Sequence, residues 1–265
     1  MDRDVLVSAE WLAAHLDDVR VVDVRDAWEY DGIGHVPGAA SVPFDSFRTG
    51  EGAAGMLPDP DDWAALLGDA GIGPGDTVVA YDDHHGVFAA RFLVTALLYG
   101  HRDLRLLDGD FSAWQREHEV AREAPDVAPT TYEVTEPAET PLVDAEAVAA
   151  ARDDPDAVLV DTRAVDEFEA GHIPGAVNLD WREVVDDETR GLKPREAVAS
   201  LLEDRGIVPE KRVVLYCNTA RRISHTYVVL RWLEYPDVGF FEGSLTAWLE
   251  DGREVTGDVT VEDVR

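Results

Sequence analysis

Val213-Val214-Leu215-Tyr216-Cys217-Asn218-Thr219-Ala220-Arg221-Arg222-Ile223-Ser224 holds the single cysteine of the 265-residue chain. The apolar run Val213–Tyr216 predicts a buried strand, and the apolar segment from Ile223 to Leu233 predicts a helix, so Cys217 falls where a strand turns into a helix. Backbone N–H groups of a short loop and a first helical turn converge at such a point, the macrodipole adds partial positive charge, and a thiolate is favoured there over a thiol. Arg221 and Arg222 add two permanent positive charges. A cysteine can also be an inert small hydrophobe in a core, but two arginines within five residues suit an anion-handling thiolate better. With no second cysteine there is no internal disulfide and no resolving thiol, so whatever Cys217 receives must pass to an outside acceptor.

Working outward, the chain repeats itself. In the first half, Ser8 caps a helix bearing Trp11, Leu12 and Leu16, and Val19–Val24 reads as a strand. Gly34-His35-Val36-Pro37-Gly38-Ala39 follows as a turn, 43–57 as a loop and Asp61–Ala70 as a short helix. Strand Thr77–Tyr81 leads into Asp82 and helix Val87–Tyr99, and strand Leu104–Leu107 into helix Phe111–Glu117. In the second half, a helix opens at Leu142–Glu146 and Val158–Val160 gives a strand. Asp161-Thr162-Arg163 then precedes Glu167-Phe168 and Gly171-His172-Ile173-Pro174-Gly175-Ala176, and the cysteine stretch, Val238–Phe241 and a helix around Trp248 complete the copy. Gly34 matches Gly171 at a spacing of 137, Asp82 matches Cys217 at 135 and Trp114 matches Trp248 at 134, which implies two copies of one unit.

Each copy alternates strands with helices. The expected fold is therefore α/β, two domains that each hold a mostly parallel sheet flanked by helices. Residues 122–141, with Pro125, Pro129, Pro137 and Pro141 and no helical period, read as an extended linker between domains at 1–121 and 142–265. The second copy has a thiol where the first has Asp82, and a carboxylate cannot accept a sulfur atom, so only the C-terminal domain is expected to be catalytic.

The net charge is −32, from 55 acidic and 23 basic residues. Such a surface repels nucleic acid, and because the acids are dispersed through apolar-periodic segments, disorder is not expected. The balance resembles that of proteins from salt-accumulating organisms. Molar salt shortens the Debye length to about 3 Å and removes most of the self-repulsion. The longest apolar runs are too short for a bilayer and Met1–Ser8 lacks a secretion signal, so a cytoplasmic protein without a membrane partner is expected.

The sequence resembles the tandem-domain sulfurtransferases of the rhodanese family from Val5 to about Val255. Asp161–Ala176 and its counterpart Asp23–Ala39 look like the family's first signature, and Glu242-Gly243-Ser244 with Trp248 like the signature near the domain end. Tyr81-Asp82 is similar to the inactive first domain, in which aspartate often replaces cysteine. The resemblance implies a rhodanese fold in each half, Cys217 as nucleophile and persulfide carrier, thiosulfate as donor, and cyanide or a small thiol as acceptor. It implies no cofactor, and it leaves room for a sulfur-accepting protein as partner.

The residues agree with that chemistry. A persulfide anion needs donors, which N–H groups from Asn218, Thr219, Ala220, Arg221 and Arg222 can supply, and a guanidinium fork suits a sulfonate. Arg222 is therefore expected to bind substrate or brace the loop, with Arg221 as the second cation. Thiosulfate enzymes of this class often carry arginine directly after the cysteine and glycine two residues beyond it. Here Asn218 and Ala220 stand in those places, closer to the small uncharged residues of enzymes that use 3-mercaptopyruvate, which is the alternative donor. A persulfide carrier serving a partner protein is a further alternative. Related phosphatases place five residues between cysteine and arginine, whereas four separate Cys217 from Arg222, and a six-residue cradle suits sulfur better than phosphate. His35 and His172 read as structural, donating to backbone carbonyls. His84, His85 and His225 lack the spacing of zinc ligands, and no metal is expected.

Overall fold

The computed structural model describes residues 1, 4–48, 56–135, 137 and 140–264. The chain forms two compact units, the first comprising 4–48, 57–135 and Asp186–Leu192 and the second 140–185 and 193–264. Part of the loop read over 43–57 lies outside the described residues, and its beginning is a short 3-10 turn at Phe44–Phe47.

In unit 1, β1 (Leu6–Val7), β2 (Arg20–Asp23), β3 (Ala40–Ser41), β4 (Val78–Tyr81) and β5 (Leu104–Leu107) form one parallel sheet in the order β1-β5-β4-β2-β3. All four residues of β4 are buried, as expected of a central parallel strand covered on both faces. Ser8 caps the helix Ala9–Ala14 by accepting from the Trp11 amide at 3.1 Å, and Asp59 caps Pro60–Asp69 by accepting from Asp61 N at 2.9 Å.

Unit 2 repeats the pattern. Its strands are β6 (Ala157–Asp161), β7 (Gly171–His172), β8 (Val177–Asn178), β9 (Arg212–Tyr216), β10 (Val238–Phe240) and β11 (Thr256–Gly257). Four of them make a parallel sheet in the order β10-β9-β6-β8, and the place of β1 is taken by a single parallel bridge between Leu142 and Phe240. The two remaining strands pair antiparallel, β11 with β7, just as His35 and Ala121 make an antiparallel bridge in unit 1. The C-terminal stretch from Thr256 thus contributes a strand and the short helix Val261–Val264, whose Val264 is buried in the core cluster that also holds Trp248, Leu159 and Tyr216.

The repeat extends to individual atoms. Asp23 and Asp161 each hold an arginine two residues on, with Arg25 Nε at 3.0 and 3.1 Å and Arg163 Nε at 3.0 and 3.0 Å from the two carboxylate oxygens. Arg25 and Arg163 also donate to Gly34 O at 2.7 Å and Gly171 O at 2.6 Å. His35 stacks on Tyr30 and His172 on Phe168, both at 3.8 Å between ring centroids, and His172 Nδ1 donates to Phe168 O at 2.8 Å. Trp114 and Trp248 are buried and donate to Glu119 O and Glu254 O, each at 2.9 Å. Both histidines and both tryptophans are therefore structural, as the sequence predicts.

The described part of 122–141 has no helix or strand; up to residue 135 it lies along unit 1, while Pro141 O accepts from Phe240 N at 2.7 Å in unit 2. Thr130 N donates to Gly68 O at 2.9 Å and Thr135 N to Tyr99 O at 3.1 Å, and Tyr132 is buried against His101 with parallel rings. The approach is close because glycines receive it: a Cβ on Gly100, which has φ +91°, would stand 2.4 Å from Thr135 O. Gly100→Ala is therefore expected to cost about 2 kcal/mol or more, from left-handed strain and the backbone collision, measured as a lower midpoint in urea unfolding. No helix among the described residues is long and apolar enough to cross a membrane.

Candidate active site

Cys217 follows directly on β9 and is 1% exposed. The chain turns at Ala220, whose φ of 65° lies in the left-handed region, and enters the helix Arg221–Trp232. A non-glycine residue held in that region is strained, and such strain persists only where the surroundings fix it. Here Ser224 Oγ donates to Ala220 O at 2.8 Å and Thr246 Oγ1 donates to Asn218 O at 3.0 Å. A second left-handed residue, Ser244 with φ 52°, closes the loop from the other side. Its hydroxyl accepts from Cys217 N at 3.1 Å and lies 3.9 Å from Cys217 Sγ, within donating distance of sulfur. Leu245 N donates to Cys217 O at 2.9 Å and pins the same residue again.

The six residues singled out in the sequence form one continuous cradle, but their side chains serve different ends. Ala220 is buried, and Asn218, Thr219, Arg221 and Arg222 are half-buried. Arg222 makes a two-pronged pair with Glu167, Nη1 to Oε2 at 2.5 Å and Nη2 to Oε1 at 3.1 Å, and Asn218 Nδ2 donates to the same carboxylate at 3.3 Å. Glu167 in turn accepts from Ala164 N at 3.2 Å, at the start of the helix Val165–Ala170. Burial disfavours both charges, yet each is held by the other: the hydrogen bonds and charge of Arg222 keep the Glu167 carboxyl below its usual range, and Glu167 together with the charge of Cys217 raises Arg222. Arg222 thus braces the loop. Glu167, Ser244 and Thr246 are not evident as site residues in sequence, because each is set against the loop by the fold.

The first copy, with a carboxylate at the position of the cysteine, shows what such a loop holds. Asp82, at the Cys217 position, turns its carboxylate into its own loop, where Oδ1 accepts from His84 N and Gly86 N at 2.8 Å each. Oδ2 accepts from Phe88 N at 2.7 Å and Ala89 N at 3.0 Å. Two turning points are shared, since His85 and Asp110, the counterparts of Ala220 and Ser244, have φ of 57° and 50°, although Gly86 is also left-handed at 82° where its counterpart Arg221 already begins the helix. Phe111 N donates to Asp82 O at 2.8 Å as Leu245 N does to Cys217 O. Thr219 and Ile223 occupy the positions of His84 and Phe88, whose amides each hold one oxygen of the built-in anion. A backbone nest of this kind favours a bound negative charge; in the second copy the Arg221 and Ser224 amides instead donate to Thr219 O at 2.9 Å and Ala220 O at 3.1 Å.

Removing the built-in anion has a testable cost. Asp82→Ala leaves four amides, two of them buried, without their acceptor and is expected to destabilise the protein by about 1–3 kcal/mol. Chemical denaturation measures this, with the reactivity of Cys217 retained in the folded variant.

A family model described as a rhodanese-like domain matches twice, over residues 8–117 and 144–251. The chain is 35% identical to a thiosulfate sulfurtransferase of Pseudomonas aeruginosa, over 86% of this chain and 87% of that one. It is 33% identical to the sulfur carrier protein TtuD of Thermus thermophilus, over 92% and 93%. A putative thiosulfate sulfurtransferase of the archaeon Haloferax volcanii is 30% identical over 93% of both chains. Among solved structures, SseA from Escherichia coli, a 3-mercaptopyruvate sulfotransferase, superposes with a TM-score of 0.80 at 25% identity, over 91% of this chain and 98% of that one.

Proposed function

The chain belongs to the rhodanese family, with two copies of its domain, and from that premise we propose that it is a sulfurtransferase that carries sulfane sulfur on Cys217, with thiosulfate as donor. The observation that carries the reading is the pair of matching strand-to-helix loops, one filled by the Asp82 carboxylate and the other presenting a thiol at the same position.

The chemistry follows from the loop. Cys217 thiolate attacks the outer sulfur of thiosulfate, the new S–S bond forms as the bond to the sulfonate sulfur breaks, and sulfite leaves with the electron pair. The persulfide anion then rests among the loop amides. Ser244 Oγ donates to Phe241 O at 3.0 Å and stands 3.9 Å from Sγ, so turning its single proton from that carbonyl to a charged sulfur would add one donor to the loop amides. Attack by cyanide on the outer sulfur releases thiocyanate and returns the thiolate. Because one cysteine does all of this, donor and acceptor must visit in turn, and double-reciprocal plots at several acceptor concentrations should be parallel. Converging lines would count against a covalent intermediate.

A second reading, with 3-mercaptopyruvate as donor, is favoured by one observation: Arg222 and Asn218 are both tied to Glu167 and offer less to a sulfonate than their sequence positions promise. The same kinetics with the two donors in parallel decide between the readings through the ratio of kcat/KM values. Rapid transfer to a protein acceptor with slow turnover on cyanide would instead favour a carrier role, the one printed in the name of the Thermus relative.

A further inference from the structure

Glu167 gathers the loop's polar side chains to itself. Its two oxygens take both terminal nitrogens of Arg222 and the amide of Asn218, and the pair is only partly exposed, 20% for the arginine side chain and 31% for the glutamate. Salt screens such a pair less than an exposed one. Cys217 opens the loop directly after β9 and Arg222 stands in the first turn of the helix that closes it, so its charge is one that an anionic donor meets on approach. Arg163, a buried guanidinium of the same unit, is held by both oxygens of Asp161 and by Gly171 O. Glu167 therefore offsets a positive charge in the loop that carries the sulfur.

We propose that Glu167 sets the donor class of the Cys217 loop: by holding Arg222 and Asn218 it withdraws a cation from the approach path and biases the loop toward neutral or singly charged sulfur donors over a dianionic sulfonate. The inference rests on the sulfur-accepting role of Cys217. Glu167 acts through Arg222 and is a positioning residue.

Glu167→Gln keeps the shape and removes the charge. In this variant the KM for thiosulfate is expected to fall about fivefold, with a smaller change for 3-mercaptopyruvate and little change in kcat for either. A second readout needs no turnover. Cys217 is the only cysteine, so its alkylation rates with iodoacetate, an anion, and iodoacetamide, its neutral analogue, report the local charge directly. Their ratio should rise about fivefold in Glu167→Gln and return near the wild-type value in the double variant Glu167→Gln/Arg222→Gln, in which neither charge remains. Glu167→Ala should raise the ratio in the same sense. A ratio that is unchanged, equal slowing with both reagents, or a ratio still raised in the double variant would each overturn the assignment. An unchanged ratio in a protein that loads sulfur normally would sink the role of Glu167 alone. A ratio that shifts as expected in a protein that loads no sulfur would sink the donor assignment together with the proposed function.

Discussion

Cys217→Ser is expected to abolish sulfur transfer, lowering kcat/KM by about 10⁴-fold or more, equivalent to roughly 5.5 kcal/mol of transition-state stabilisation. A serine hydroxyl is not ionised at neutral pH and cannot hold sulfane sulfur, and no second cysteine is present to take over. The substitution exchanges one small atom for another at a residue that is 1% exposed, so unfolding should move by about 1 kcal/mol or less. Loss of activity with the fold intact is the diagnostic combination, read by thiocyanate formation and by thermal unfolding of the same sample. Activity above about one per cent of wild type would mean that sulfur moves by a route that bypasses the thiol.

The largest loss of stability is expected from Arg163→Leu. Arg163 is 1% exposed and spans Asp161, whose oxygens it meets at 3.0, 3.0 and 2.6 Å, and Gly171 O at 2.6 Å. Burial works against its charge, and the hydrogen bonds and charge of Asp161 outweigh burial. Leucine removes the cation and leaves a fully buried carboxylate beside the Tyr216 hydroxyl, together with a carbonyl at the start of β7 that loses its donor. Breaking a buried pair from one side costs about 3–5 kcal/mol, whereas neutralising both partners costs less. Denaturant unfolding should therefore find Arg163→Leu several kcal/mol less stable, and Arg163→Leu/Asp161→Asn should recover a good part of that loss. A double variant as unstable as the sum of the singles would show that the pair is not coupled.

What the chain declares in its sequence depends on whether the decisive partners lie nearby. The strand before Cys217 and the helix after it are legible because V-V-L-Y and the apolar segment beyond it carry their own periodicity, and β9 and Arg221–Trp232 fall where they point. The helices Ala27–Gly32 and Val165–Ala170 show in sequence only as what precedes the turns at His35 and His172, and Arg195–Glu203 has no reading of its own. The first two are six residues long and acidic, with few or no buried residues to set a stripe. The strands β3, β7, β8 and β11 are two residues each, too short for any alternation to show.

The site divides in the same way. Cys217 and the loop through Arg222 are contiguous and can be read directly. Glu167 stands 55 residues from the guanidinium it holds, and Ser244 27 residues from the cysteine it touches, so only the fold joins them. Arg222 shows the consequence. In sequence it is a cation beside a thiol, and in the structure its charge is already matched by Glu167.

The most direct measurement is the intact mass of the wild-type protein after incubation with thiosulfate in molar salt, followed by cyanide. The account predicts a gain of one sulfur on Cys217, removed by cyanide as thiocyanate and absent from Cys217→Ser. A folded wild type that gains no mass with thiosulfate or with 3-mercaptopyruvate would contradict it.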